Sequence, residues 1–150
     1  MPKDPFSDTV LLVDDDSDAV ILFERAYQRA GIMHPFKVAQ SADEAIAYLT
    51  GDGRYADRAT YPMPALILLD IKMPGRTGFD VLEWIRKSSS VSPMRVVMLT
   101  GSPNGADVNH AYRLGANSYV TKPTDLSEFR EILGTLCAHW LRDSKRPELN

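Results

Sequence analysis

Five short runs of aliphatic or β-branched residues recur along the chain: TVLLV at 9–13, FKVA at 36–39, ALILL at 65–69, RVVML at 95–99 and SYV at 118–120. They read as strands. The first, third and fourth are apolar without alternation, the pattern of central parallel strands covered on both faces. Between the runs the apolar period lengthens to that of a helix. Val20, Phe23, Tyr27 and Ala30 share one face ahead of Gly31, a helix stop. Ser41 with Glu44 makes a capping-box pattern before AIAYL, Val81, Leu82 and Ile85 mark a third helix, and Val108, Ala111 and Tyr112 mark a fourth that ends near Gly115. In the last segment Leu126, Phe129, Ile132, Leu133, Leu136, Cys137, Trp140 and Leu141 recur three and four apart, with Glu128, Arg130, Glu131 and Arg142 elsewhere around the helix. Trp140 and Leu141 are expected to exceed what one sheet face needs, which leaves a surface for a partner.

The strand-helix alternation implies right-handed crossovers and an open, doubly wound α/β sheet with helices on both faces. Ligands of such sheets bind outside the carboxyl ends of the strands. Asp14, Asp15 and Asp16 follow the first strand, Asp70 the third, Thr100 and Gly101 the fourth and Lys122 the fifth. Charged or hydroxyl groups therefore converge on one edge, and that edge is the candidate site.

Composition narrows the function classes. The 150 residues suffice for one domain with its own core, so neither a disulfide nor a structural metal is required. With 17 basic against 20 acidic residues the net charge is −3, which gives no field to draw duplex DNA or an anionic membrane. A single cysteine, Cys137, lies in an apolar helical pattern and reads as a small buried hydrophobe in a reducing, cytoplasmic setting. The opening MPKDPFSD lacks an apolar signal core, and ALILL is too short to span a bilayer.

Three acids and a lysine at strand ends suit a hard divalent cation held by carboxylate oxygens and water, as magnesium prefers. His34, His110 and His139 stand in unrelated positions and there is no second cysteine, so a zinc site is disfavoured. Asp14, Asp16 and Asp18 mimic the start of an EF-hand loop, but Ala19 holds the glycine position and Arg25 the closing glutamate position. A haloacid-dehalogenase-type phosphatase, with Asp14 as aspartyl nucleophile, remains the alternative, although Asp18 stands where that pattern has threonine. The plain structural reading, aspartates that solvate a loop and cap the next helix, fits one of the three.

The segments LLVDDD, LILLDIKMPGRTGFDVL, VVMLTG and YVTKP, in this order and spacing, resemble the receiver domains of two-component response regulators from about Thr9 to Leu141. The resemblance implies a flavodoxin-like fold, a five-stranded parallel sheet in the order 2-1-3-4-5. It implies that Asp70 accepts a phosphoryl group from a sensor histidine kinase. Asp15 and Asp70 would ligate magnesium, for which manganese can substitute; Asp14 would do so directly or through water, and Lys72 through its backbone carbonyl. Lys72 is a departure, since many relatives carry a different side chain there; metal binding should survive it, whereas the dephosphorylation rate is open to change. Lys122 would pair with the phosphate, Thr100 would donate its hydroxyl to a phosphate oxygen, and Pro123 would follow a cis bond that aims the lysine inward. Tyr119 corresponds to the family's aromatic switch, biasing a surface of helix four, strand five and helix five. Such a protein is a signalling switch more than an enzyme, its catalysis limited to self-phosphorylation and slow hydrolysis.

The expected organisation is an N-terminal extension over 1–8, the receiver domain over 9–142 and a tail over 143–150, with no attached output domain. Output would then pass to another protein or through homodimerisation by the surface of helix four, strand five and helix five. The long connection TGDGRYADRATYPMP at 50–64 reads equally as a tolerated surface insertion or a recognition element. Its GDGRYAD and YPMPALILLD look like the single-domain regulators that partner bacterial phytochromes, which suggests a light-sensing kinase as donor.

Overall fold

A computed structural model describes residues 8–101 and 104–141. The segments 1–7 and 142–150, with Arg142 and the tail, lie outside the described residues.

The strands are β1 (Val10–Val13), β2 (Phe36–Ala39), β3 (Leu66–Asp70), β4 (Arg95–Thr100) and β5 (Ser118–Thr121). The helices are α1 (Ser17–Arg29), α2 (Ala42–Thr50), α3 (Gly78–Lys87), α4 (Gly105–Arg113) and α5 (Leu126–Trp140). All strand pairs are parallel and the order is β2-β1-β3-β4-β5. β1 and β3 are buried throughout and β4 everywhere except Arg95, as their unbroken apolar runs require. β2 and β5 form the edges and are half-exposed.

Strand pleating divides the core in two. Val10, Leu12, Leu66, Leu68, Val97 and Leu99 face α1 and α5, where Phe23 meets the rings of Tyr27, Phe36 and Phe129 at centroid distances of 5.3, 5.2 and 5.9 Å. Leu11, Val13, Ile67, Leu69, Val96 and Met98 point the other way, against α2, α3 and Ala111 of α4. Both faces are covered, so the residues left open to ligands are those where the central strands end.

The helix starts follow local chemistry. Asp16 accepts from the amides of Asp18 and Ala19, Ser41 from Glu44, Asn104 from Asp107 and Asp125 from Glu128, each supplying an acceptor to an otherwise orphaned N–H. The full capping box lies at Thr77 and Asp80 instead of Ser41 and Glu44. Glu44 is drawn elsewhere: Oε1 accepts from the Gln40 amide at 2.8 Å, and Oε2 accepts from Tyr55 Oη at 2.7 Å and Arg54 at 3.1 Å.

One expectation about surface apolar groups is corrected. Leu141 is buried and Trp140 packs partly against the α1/α5 side of the core, so the α5 stripe is used mostly at home. Tyr112 instead faces outward at 49 % exposure, because among α4 residues only Ala111 is buried. Cys137 is buried as expected, and burial pushes its thiol up to about 12.

The 50–64 connection is organised. It contains a single 3₁₀ turn, Gly53–Ala56, and its tyrosines close a ring cluster in which Tyr48, Tyr55 and Tyr61 lie 4.9 to 5.8 Å apart. Arg58 donates to the carbonyls of Tyr48, Leu49 and Tyr61, satisfying the end of α2. Tyr48 Oη donates to Pro62 O at 2.8 Å.

Candidate functional site

The acids that end β1 and β3 meet in space. Carboxylate oxygens of Asp14, Asp15 and Asp70 all lie within 4.8 Å of one another. Asp14 is 1 % exposed and Asp70 6 %, while Asp15 stands nearer solvent. Asp15, Asp16, Asp70, Lys72, Thr100, Gly101 and Lys122 line an open cleft of about 420 Å³ over this cluster.

Each side chain is set by the backbone beneath it. Asp70 ends β3, where its neighbour Leu99 of β4 continues the ladder, and the Ile71 amide donates onward to Leu99 O at 3.3 Å. Behind it Gly78 opens α3 so closely that a Cβ there would lie 2.2 Å from the Asp70 carbonyl oxygen. Only a residue without a side chain fits that approach. The sequence reading did not single out Gly78; the available signal was its place one residue after the Thr77 cap.

Lys122 Nζ stands 2.5 Å from Asp14 Oδ2 and 3.7 Å from Asp70 Oδ1, so its charge is shared and the nearer share goes to Asp14. The Lys122 amide donates to Thr100 O at 2.6 Å, one more rung of the β4–β5 pairing. The bond to the buried Pro123 is trans, which corrects the expected cis isomer, and the lysine reaches the acids with it.

Burial pushes the Asp70 carboxyl up to about 6; Lys122 opposes the rise while Asp14 and Asp15 add to it. Three acids share one ammonium, and the surplus negative charge is what a divalent cation would neutralise. The donor set is all hard oxygen, which fits such a cation and suits neither thiophilic nor imidazole-bound metals. Asp16 stands apart from the set, its carboxylate spent on the α1 cap.

Both oxygens of Asp14 are engaged, Oδ1 by the Asp16 amide at 3.0 Å and Oδ2 by Lys122. Nothing in this arrangement singles out Asp14 as the nucleophile of the dehalogenase-type alternative. Thr100 is 1 % exposed at the end of β4. On β5 Tyr119 is turned inward with its hydroxyl buried and no well-formed hydrogen bond to that oxygen among the described residues. Burial raises its pKa, and the neighbouring Thr100 hydroxyl partly offsets the rise. Asp14, Asp15, Asp70, Lys72, Thr100 and Lys122 thus stand together at one sheet edge, Pro123 follows Lys122, and Tyr119 lies within β5 opposite Met98.

Comparison with known proteins agrees with this fold. Residues 10–134 match the response regulator receiver domain. FilR2 of Methanothrix harundinacea (strain 6Ac), a probable methanogenesis regulatory protein, is 30 % identical over 97 % of this chain and 90 % of its own. The response regulator Rcp1 of Synechocystis sp. is 30 % identical over 92 % of each chain. Its Mn(2+)-bound structure superposes with a TM-score of 0.78 at 30 % identity, covering 94 % of this chain and 99 % of that one. The phosphorylated cyanobacterial phytochrome response regulator RcpA superposes with a TM-score of 0.80 at 31 % identity, covering 89 % of this chain and 94 % of that one. Among the described residues no helix is long and apolar enough to cross a membrane. The chain belongs to the response regulator receiver domain family, as a relative of the response regulator Rcp1 and the phytochrome response regulator RcpA.

Proposed function

We propose that this protein is a phosphoryl-accepting switch in which Asp70 is the acceptor. One observation carries the reading: three carboxylates from the ends of β1 and β3 converge within 4.8 Å, with Lys122 between Asp14 and Asp70. In the reaction an Asp70 oxygen attacks the phosphorus of a kinase phosphohistidine. The P–N bond breaks, the imidazole leaves with its electron pair and the P–O bond of an acyl phosphate forms.

Asp14, Asp15, Asp70 and the Lys72 carbonyl would hold magnesium, or manganese in its place. Bound there, the cation neutralises charge between two anions that otherwise repel. Lys122 shifts its nearer contact from Asp14 toward the incoming phosphoryl, and the Thr100 hydroxyl donates to one of its oxygens. Lys72 lines the cleft, so its side chain is placed to alter the hydrolysis rate without being a ligand. Tyr119, beneath Thr100, carries the change to the surface of α4, β5 and α5.

The likeness to Rcp1 and RcpA supports a bacterial phytochrome as the sensor kinase, and the 50–64 connection, fastened by its tyrosines, is a fixed surface for its recognition. The α4–β5–α5 surface, with Tyr112 as its exposed aromatic, is the proposed self-association face and route to a downstream protein. Phosphotransfer from a panel of histidine kinases that includes phytochromes tests the reading. Magnesium-dependent transfer to the wild type and none to Asp70→Asn is expected; undiminished transfer to Asp70→Asn rejects it.

A further inference from the structure

Arg86 lies in the last turn of α3, away from the acidic cluster, and all five of its N–H donors are used. Nε and one Nη2 proton go to Gly115 O at 2.9 and 2.7 Å, and the other Nη2 proton goes to Asn117 Oδ1 at 2.9 Å. Nη1 donates to Ser92 O at 2.7 Å and Met94 O at 2.6 Å. No carboxylate among the described residues pairs with it. Its charge is therefore held by carbonyl dipoles, and burial lowers its pKa.

The acceptors belong to two connections, α3 to β4 and α4 to β5. Asn117 carries the tie into the sheet: its Oδ1 also accepts from the Val96 amide at 2.8 Å, and its own amide donates to Val96 O at 2.8 Å. This adds a rung just before the registered pair Val97 and Ser118. Gly115, at φ +100°, sits where a Cβ would come 2.9 Å from Arg86 Nε, so the turn is shaped around the guanidinium. The starting end of β5 is thus tied to α3 and β4. Tyr119 stands second in β5, two residues beyond the tied Asn117, and the far end of the strand leads into Lys122, at the acidic cluster.

We propose that Arg86 is a positioning residue that pins the start of β5, so that displacement driven from Asp70 pivots about Gly115–Asn117 and is delivered to Tyr119. Without the pin, the whole strand and its turn yield together and the signal is spread. A lysine would keep the charge but not the planar fork that spans both connections. The inference rests on the switch reading above, and the test separates the two.

Amide NMR spectra of the full chain, with magnesium and with or without beryllofluoride, provide that test. In the wild type, shift changes should concentrate at 119–122 and fade at 115–117. In Arg86→Lys and Arg86→Met the analogue should still bind, the changes should spread to 115–117, and the Tyr119 change should fall at least about twofold. A purely structural role would lower the unfolding midpoint and leave that ratio unchanged, which overturns the proposal. Should Arg86→Met fail to fold, Arg86→Lys alone decides. A wild type that binds the analogue without any change at Tyr119 overturns the switch reading and the Arg86 role with it; a responding wild type beside unaltered variants overturns Arg86 alone.

Discussion

Two polar clusters of this protein are built from the same kinds of residue to opposite ends. Around Arg58 and Glu44, every charged group meets its complement: Arg58 meets helix-end carbonyls, and Glu44 meets Tyr55, Arg54 and the Gln40 amide. At Asp14, Asp15 and Asp70 three acids share one lysine, and the Asp70 carboxyl is pushed up to about 6. The first arrangement stabilises the chain as it stands. The second is short of positive charge, a deficit that a divalent cation would offset, which is why the unsatisfied cluster is read as the site.

The contrast can be broken at its scaffold first. Gly78→Val drives a side chain into the Asp70 carbonyl and should cost more than about 3 kcal/mol, read as a fall in the urea midpoint. A variant as stable as the wild type would mean that Asp70 is not placed by this close approach.

Asp70→Asn should have the opposite sign. Because the folded pKa of Asp70 lies above its ordinary 3.8, the folded state holds its proton more tightly. The group's contribution is full below about pH 4 and is lost as pH rises through about 6, so without metal it costs up to about 3 kcal/mol at about pH 7. Urea titrations of the two proteins without metal should coincide at acid pH and diverge in the variant's favour across that window. A variant less stable at neutral pH would contradict the claim of surplus charge.

In the satisfied cluster, Arg58→Met should lose about 2 kcal/mol by orphaning carbonyls at the end of α2, with no pH dependence across the same window. The smallest effect separates neighbours. Asp16→Ala should lose about 1 kcal/mol as a helix cap yet keep the full gain in melting temperature from magnesium, whereas Asp15→Asn should abolish that gain.

The sheet and its edge were legible because both depend on local pattern. Unbroken apolar runs mark β1, β3 and β4, and the residue after each run must lie at a strand end. Side-chain partners were less so. Arg86 reaches Gly115 and Asn117 across 29 and 31 residues, and no local period encodes that. Glu44 matched a capping box three residues from Ser41, but Tyr55, folded back from the next turn, competes for it. The family resemblance implied a cis bond at Pro123, whereas the bond is trans and Lys122 still reaches the acids. Trp140 and Leu141 looked surplus on the helix, and only the packing of α5 against the sheet and α1 shows where they go.

The most direct test of the central claim is peptide mapping by mass spectrometry after incubation with magnesium and a small phosphodonor such as acetyl phosphate. The account predicts one alkali- and hydroxylamine-labile phosphoryl group on the peptide containing Asp70, absent from Asp70→Asn and from protein stripped of divalent metal. A phosphoryl group found on Asp14 instead, or one that persists in Asp70→Asn, would contradict it.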